Sequence, residues 1–577
     1  MKNNLFLAAC YLILASLSSC SLLGIHKTVT TPKHAGKYPK FSESTKLLGK
    51  ENTKYRNCFD ETFYELNVTV DDKKKYLKGT VTISATAVTD FDTLQIDLYE
   101  NMKVNSIGVA TLNSVQEKDT KFITTSYSRK YGAIFIPFKQ RAGEIFKIKI
   151  DYEGAPVVAK KPPWRGGFVW KTDKEKNPWI GVACETEGAS LWWPCKDVNN
   201  DEPDSAAVNI TVSNGLVGVS NGHLLGKEEN GNSTTYKWAI SYPINLYDVS
   251  IYVGKFSLLP DTYTMPSGKI LPINHYVLTY NYERAKAHLP QAKQQIAFYE
   301  KKFGEYPWYK DGYKLIESPY EGMEHQTAIA YGQGYKNSYG GDFDYIILHE
   351  SAHEWWGNAV TAADFADVWL QEGFATYSEA LYVESTQGLN AYYRYMLFYR
   401  LFIKNKWPVV GPVDGRYFDY RNSDCYQKGA WVLHTLRSVI NDDEVFFDII
   451  KTFYDRYKLK TTCSKDFVSI VNEKTNYDFN WFFNQYLYNR KAPVFEYWWE
   501  GENFFYRWNN VNTDFKMPIE LMLDGIVKKT LVPRGFVQKA SISKASYKQI
   551  SFNDFKMLYA VEENKALRKL KVIETDQ

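Results

Sequence analysis

Residues 345–360 read YIILHESAHEWWGNAV, two histidines and two glutamates set into an otherwise apolar stretch. The chain has nine histidines in 577 residues, and two of them, His349 and His353, stand four apart here. On a helix, positions i and i+4 lie nearly one above the other, so the two imidazoles share a face. Paired neutral imidazoles are half of a zinc site, and Glu350, next along the chain, is placed to take a proton from water activated at the ion. A structural zinc takes four protein ligands and a catalytic one takes three, so the pattern calls for one more ligand downstream. The stretch DFADVWLQEGFATYSEALY, 364–382, supplies it: Glu372 follows His353 after eighteen intervening residues, at the start of a second amphipathic helical stretch. Val368, Leu370, Phe374 and Ala375 are available to hold that helix against the first.

Outward from this centre the rhythm of the sequence changes. Residues 51–257 carry short alternating strands, such as KGTVTISATAV, TLQIDLYE, FKIKIDYEG and AAVNITVSN, separated by Gly, Asn and Asp turns. Alternation of period two at this spacing predicts an antiparallel β domain. Helical spacing dominates residues 258–491, from ERAKAHLPQAKQQIAFYEKKFG to FNWFFNQYLYNR, and strands return over 492–577 in FEYWWEGENFFYRWNN and MPIELMLDGIVKKTLV. Single cores seldom grow past about 250–300 residues, which also favours three domains. The aromatic share of 16%, with 44 tyrosines and 16 tryptophans, suits β-rich domains and a groove that grips extended chains. Net charge is +4 with no basic block, so nothing electrostatic points to a nucleic-acid partner.

The first residues, MKNNLFLAACYLILASLSSC, give a basic start at Lys2 and an apolar run from Leu5 to Leu17, too short to span a bilayer comfortably. The end, Leu17-Ser18-Ser19-Cys20, resembles the lipobox of bacterial lipoproteins, so residues 1–20 are expected to be a lipoprotein signal, with acylation of Cys20. That resemblance implies a bacterial cell-envelope location, anchored to membrane through the Cys20 lipid. Ser21, rather than aspartate, is compatible with the outer membrane facing the periplasm. Residues 21–50 are polar and aperiodic and read as a flexible tether. Five scattered cysteines remain, Cys58, Cys184, Cys195, Cys425 and Cys463, and they form neither a disulfide scaffold nor a metal motif.

The combination of H-E-x-x-H with Glu372 eighteen residues on resembles the gluzincin pattern of the aminopeptidase N family of zinc metallopeptidases. Three further stretches carry the same resemblance. In ESPYEGMEHQTAIAY, Gly322, Met323 and Glu324 match the exopeptidase motif G-x-M-E-N, with His325 in place of the usual asparagine. NSDCYQKGAWVLHTLR matches the Y-x-K-G-A segment through Tyr426, Lys428, Gly429 and Ala430. ACETEGASLWWPCKDVNNDEPDS resembles the segment that reaches the site from the β domain and puts Glu185 at a second amine-binding position, while Trp193 to Asp197 reads as packing.

The resemblance implies a multidomain fold: an N-terminal antiparallel β saddle, a thermolysin-like α/β catalytic domain and a small C-terminal β-sandwich, without the large helical domain of longer relatives. It implies one zinc ion per chain on His349, His353 and Glu372, with Glu350 as general base and Tyr426 as oxyanion donor. Glu324, with Glu185, would clamp the free amino terminus of a peptide substrate, and the backbone at Gly322 and Met323 would align it. Competing readings are an epoxide hydrolase of the leukotriene type, an endopeptidase, and a tethered binding module. The G-M-E match disfavours the endopeptidase, and the complete set of site residues disfavours the binding module.

Overall fold

The computed structural model describes residues 40–112, 120–338, 341–416 and 423–564. The alternating segments of the first part become strands whose inward residues are buried, as in Phe59–Asp71 and Ser205–Ser213. They build an eight-stranded sheet that runs, in space, His223–Asn230, Ser233–Ile240, Ser205–Ser213, Phe59–Asp71, Tyr76–Ala87, Ile145–Gly154, Met102–Leu112 and Ile123–Thr124. Its neighbours are antiparallel except for Phe59–Asp71 with Ser205–Ser213, which pair in parallel with Phe63 opposite Ser205. A four-stranded sheet (Val217–Val219, Tyr252–Gly254, Pro178–Ala183, Gly167–Thr172) and a three-stranded one complete this β domain.

At Phe256 the chain enters a five-stranded mixed sheet: Phe256–Thr264, Ile270–Leu278, Leu315–Glu317, Ile329–Tyr331 and the two-residue edge Gly322–Met323. Helices pack around it. Pro290 splits the first helical stretch into Tyr282–His288 and Gln291–Phe303, because proline has no N–H and is tolerated only at a helix start. Tyr345–Ala352, Trp369–Gln387, Leu389–Arg400, Gln427–Ile440, Asp443–Tyr457 and Ser464–Thr475 follow. The last strands form a four-stranded and a three-stranded sheet whose facing aromatics meet, with Phe552 packed on Phe495 and Tyr497. Among the described residues no further helical domain follows, and no helix is long and apolar enough to cross a membrane.

Two apolar cores organise the molecule. One fills the helical and C-terminal parts; the other fills the β domain and extends to Ile316, Tyr320, Met323, Ala328 and Ala330 of the mixed sheet. The edge strand carrying Gly322 is therefore bedded on the β domain's interior. The tether expectation is corrected over residues 40–50. A helix runs from Glu43 to Leu48, capped by Ser42, and Arg56 holds the carbonyls of Leu48 and Lys50. Its other partners, Gly415 and Asn199, come from distant parts of the chain, and the sequence there has no periodicity. The five cysteines are free thiols, and the N-terminal signal lies outside the described residues.

Candidate active site

Asp344 starts the motif helix by accepting hydrogen bonds from the backbone N–H groups of Ile346 and Ile347, a side-chain cap that fixes where His349 falls. Glu372 comes from the first turn of Trp369–Gln387, a helix buried at every position from Trp369 to Val383. The next partner helix, Gln427–Ile440, crosses it at two glycines: a Cβ on Gly373 would lie 3.0 Å from the Cα of Gly429, and the reverse holds equally. Only glycines allow so close an approach of backbones, and the approach brings Tyr426, the cap of that helix, to Glu372. This gives the K-G-A part of the sequence motif a structural cause.

Three donor atoms converge. His349 Nε2 and His353 Nε2 are 3.2 Å apart, and Glu372 Oε2 is 3.4 Å from the first and 3.3 Å from the second. A tetrahedral ion with N and O bonds of about 2.0–2.1 Å holds its donors about 3.3–3.4 Å apart, so this triangle fits zinc. Glu372 Oε2 is buried and makes no hydrogen bond of its own, as expected of an atom reserved for a metal. Among the described residues this is the one cluster of three such groups suited to a metal.

Behind the donors, the other ring nitrogens are engaged. His349 Nδ1 donates to Glu379 Oε1 at 2.6 Å, and His353 Nδ1 donates to the carbonyl of Trp356 at 2.9 Å. Glu379 in turn accepts the hydroxyls of Tyr395 and Tyr399. These bonds fix the tautomer that turns both Nε2 lone pairs toward the centre. The motifs do not single out Glu379. The available signal is its place seven residues after Glu372, two turns along on the same face of a helix too apolar to leave a carboxylate unpaired.

Electrostatics follow from burial. Burial alone would lower the His349 imidazole, but Glu372 and Glu379 outweigh it and hold it up at about 10 in the metal-free protein. Burial works to raise Glu372, yet the proximity of His349 and His353 holds it at about 2. Burial pushes the Glu350 carboxyl up to about 7 against the pull of both histidines, a value suited to moving protons near neutrality. Tyr426 is stacked on the His349 ring, with centroids 6.1 Å apart and planes at 23°. Burial, then the charges of Glu372 and Glu185, raise its phenol well above the usual range and keep it a hydrogen-bond donor.

The remaining predicted residues are gathered around this centre. Gly322 lies against Glu350, and a Cβ there would come within 2.4 Å of Glu350 Oε1. Glu324 is 2% exposed, with Oε2 3.0 Å from His353 Nδ1 and Oε1 accepting Tyr247 Oη–H at 2.6 Å. Gln371 Nε2 braces both, donating to the Tyr247 hydroxyl at 2.8 Å and to Glu324 Oε1 at 3.3 Å. Tyr247 and Gln371 are two more site residues that the sequence motifs do not mark. Glu185 is half-buried; burial and then the charges of Glu324 and Glu372 raise its carboxyl well above normal. His325 is buried and bonded to the Tyr252 hydroxyl, so it ties the site's edge to the β domain.

Fold and site together define a gluzincin-type metallopeptidase. Residues 60–247 match the peptidase M1 N-terminal domain and residues 288–486 the peptidase family M1 domain; the chain belongs to the M1 family. It is 25% identical over 286 residues to aminopeptidase N of Escherichia coli K12, covering 46% of this chain and 32% of the relative. It is 23% identical over 415 residues to mouse aminopeptidase B, covering 66% and 59%. The chain thus spans about a third to three-fifths of the length of these relatives. The M1 zinc metallopeptidase of Deinococcus radiodurans superposes with a TM-score of 0.64 at 20% identity, over 75% of this chain and 94% of that one. A mutant of that enzyme, solved with a Tyr-Ser-Ala substrate, gives 0.63 at 19% identity over 77% and 98%.

Proposed function

We propose that this protein is a zinc-dependent aminopeptidase that removes the first residue of peptides. The observation that carries the reading is Glu324: a buried carboxylate braced by Tyr247 and Gln371 and set 3.0 Å from the imidazole of a metal ligand. A carboxylate at a fixed distance from the metal rewards an α-ammonium and leaves internal peptide segments unanchored. The Tyr-Ser-Ala substrate of the Deinococcus relative agrees with a peptide ligand.

Zinc on His349, His353 and Glu372 would supply Lewis acidity toward the scissile carbonyl and lower the pKa of water. The protein's own groups do the rest. Glu350 takes the water proton as the new C–O bond forms, then delivers it to the leaving nitrogen as the C–N bond breaks. Tyr426 donates its hydroxyl to the developing oxyanion, a contact worth roughly 3 to 4 kcal/mol. Glu324 and Glu185 hold the ammonium, and the Gly322–Met323 edge offers backbone groups to the substrate in the manner of an added strand.

The test is hydrolysis of a panel of amino-acid arylamides, with zinc content measured alongside. Wild-type chain should release amine in a chelator-sensitive way, and Glu350→Gln should retain zinc and lose turnover. Equal cleavage of free and amino-acetylated peptides would overturn the aminopeptidase reading. The lipobox-like LSSC supports a further proposal, a chain acylated at Cys20 and held at the bacterial envelope; palmitate labelling should mark the wild-type chain and be lost in Cys20→Ala.

A further inference from the structure

The turn that carries Glu185 is closed by the Gly188 N–H donating to the Cys184 carbonyl, with Gly188 at φ +97°. Arg416, far away in sequence, packs on this turn: a Cβ on Gly188 would collide with its Nη1. The same guanidinium donates to Asp197 Oδ1 at 2.8 Å and to the Asp197 carbonyl at 3.1 Å. Asp197 also accepts the backbone N–H groups of Ala189 and Ser190, the residues that follow the turn. One arginine therefore touches the turn and holds its anchor.

Arg416 itself sits in a strained stretch. Asp414 and Arg416 have φ of 55° and 39°, left-handed values that persist only where the surroundings impose them. One restraint is Asp364, which accepts the Asp414 N–H at 3.0 Å. The other is the folded segment 41–51. A Cβ on Gly415 would lie 2.5 Å from the Phe41 ring, and one on Gly49 would lie 3.1 Å from Gly415 C. Glu51 Oε2 accepts the Asn199 N–H at 2.7 Å, so the segment grips both sides of the Arg416–Asp197 pair. This strap lies outside the stretches that match the family.

We propose that Arg416, seated under the strap of residues 41–51, is a positioning residue for the turn that presents Glu185 to the substrate amine. The proposal rests on the aminopeptidase reading for its kinetic consequence, and on geometry alone for its structural one. In the full chain, Arg416→Ala should speed hydrogen exchange at Ala189 and Ser190. It should raise KM for free-amino substrates at least about fivefold while kcat stays within about twofold and zinc content is unchanged, the pattern of lost ground-state binding. Arg416→Lys, which keeps the charge and loses the fork, should fall between. Unchanged exchange over 184–199, or an unchanged KM, would overturn the proposal. If Arg416→Ala does not fold, Gly415→Ala serves: its methyl displaces Phe41 and should give the same signature. Wild-type values for Gly415→Ala refute the strap's role. A zinc-loaded wild type that releases nothing from any peptide refutes the aminopeptidase reading, while the exchange data still judge the positioning.

Discussion

Gly322→Ala adds one methyl group beside the proposed general base. The new Cβ would lie 2.4 Å from Glu350 Oε1 and 2.9 Å from Ile346 Cγ2. Carbon and oxygen in ordinary contact stay roughly 3.2–3.4 Å apart, so the carboxylate must retreat by about 1 Å. Because that oxygen is the free end of a side chain, the retreat is cheap in stability, and the loss should stay near the low end of the about 1–3 kcal/mol usual for overpacking. The rate is another matter, since a reacting group displaced by 1 Å loses about 100-fold. The atoms nearest the new Cβ belong to Glu350 and Ile346 rather than to the zinc donors, so metal content should hold. The assay is kcat/KM on the best arylamide, with zinc stoichiometry and thermal midpoint measured on the same preparation. A drop of about 100-fold with full zinc and a small thermal shift is expected. Activity within threefold of wild type would refute the role given to Glu350 beside the Gly322 edge.

Replacing Glu379 with alanine removes the acceptor that orients His349, and zinc affinity should fall about 10- to 100-fold by chelator competition. Zinc loading should release protons at neutral pH. His349 is held up at about 10 without metal, so its proton must leave, and affinity should climb from pH 6 to pH 9 in calorimetry run in several buffers. In the metal-free protein the raised His349 contributes stability that is complete below its unfolded value of about 6.5 and is lost as pH rises toward 10. The depressed Glu372 contributes above about 4.5 and loses its share as pH falls through about 2. The metal-free thermal midpoint should therefore decline between pH 7 and 10, and zinc should abolish that slope. Gly429→Ala meets backbone rather than a side-chain tip, the Gly373 Cα at 3.0 Å, and should cost about 1–3 kcal/mol in thermal unfolding.

What the sequence reveals and conceals has a physical pattern. His349, His353 and Glu372 are legible because a metal demands particular atom types at spacings set by helix geometry. The β domain is legible because alternation survives into strands: FKIKIDYEG lies in Ile145–Gly154 and all of AAVNITVSN but its final Asn214 in Ser205–Ser213. Glu379, Tyr247 and Gln371 are harder, since each acts by touching a residue already identified, and a contact made in three dimensions leaves no fixed interval. His325 shows the same limit from the other side. It stands where the motif usually has asparagine, and the sequence does not say what the ring touches; its bond goes to Tyr252 and its side chain is fully buried.

The strap is the extreme case. Nothing periodic marks residues 41–51, and their seat is made by Gly415, Arg416 and Asn199, none of them near in the chain. A segment of that kind gains little from local propensity, so its order depends on the contacts it completes. That dependence runs in both directions. If the left-handed backbone at Asp414 and Arg416 is held by the strap, loosening Phe41 should disturb the Asp197 anchor on the far side, and hydrogen exchange at Ala189 and Ser190 in Phe41→Ala is where the disturbance should register. An exchange pattern altered only within residues 41–51 would mean that Asp364 and Asp197 suffice to hold the loop.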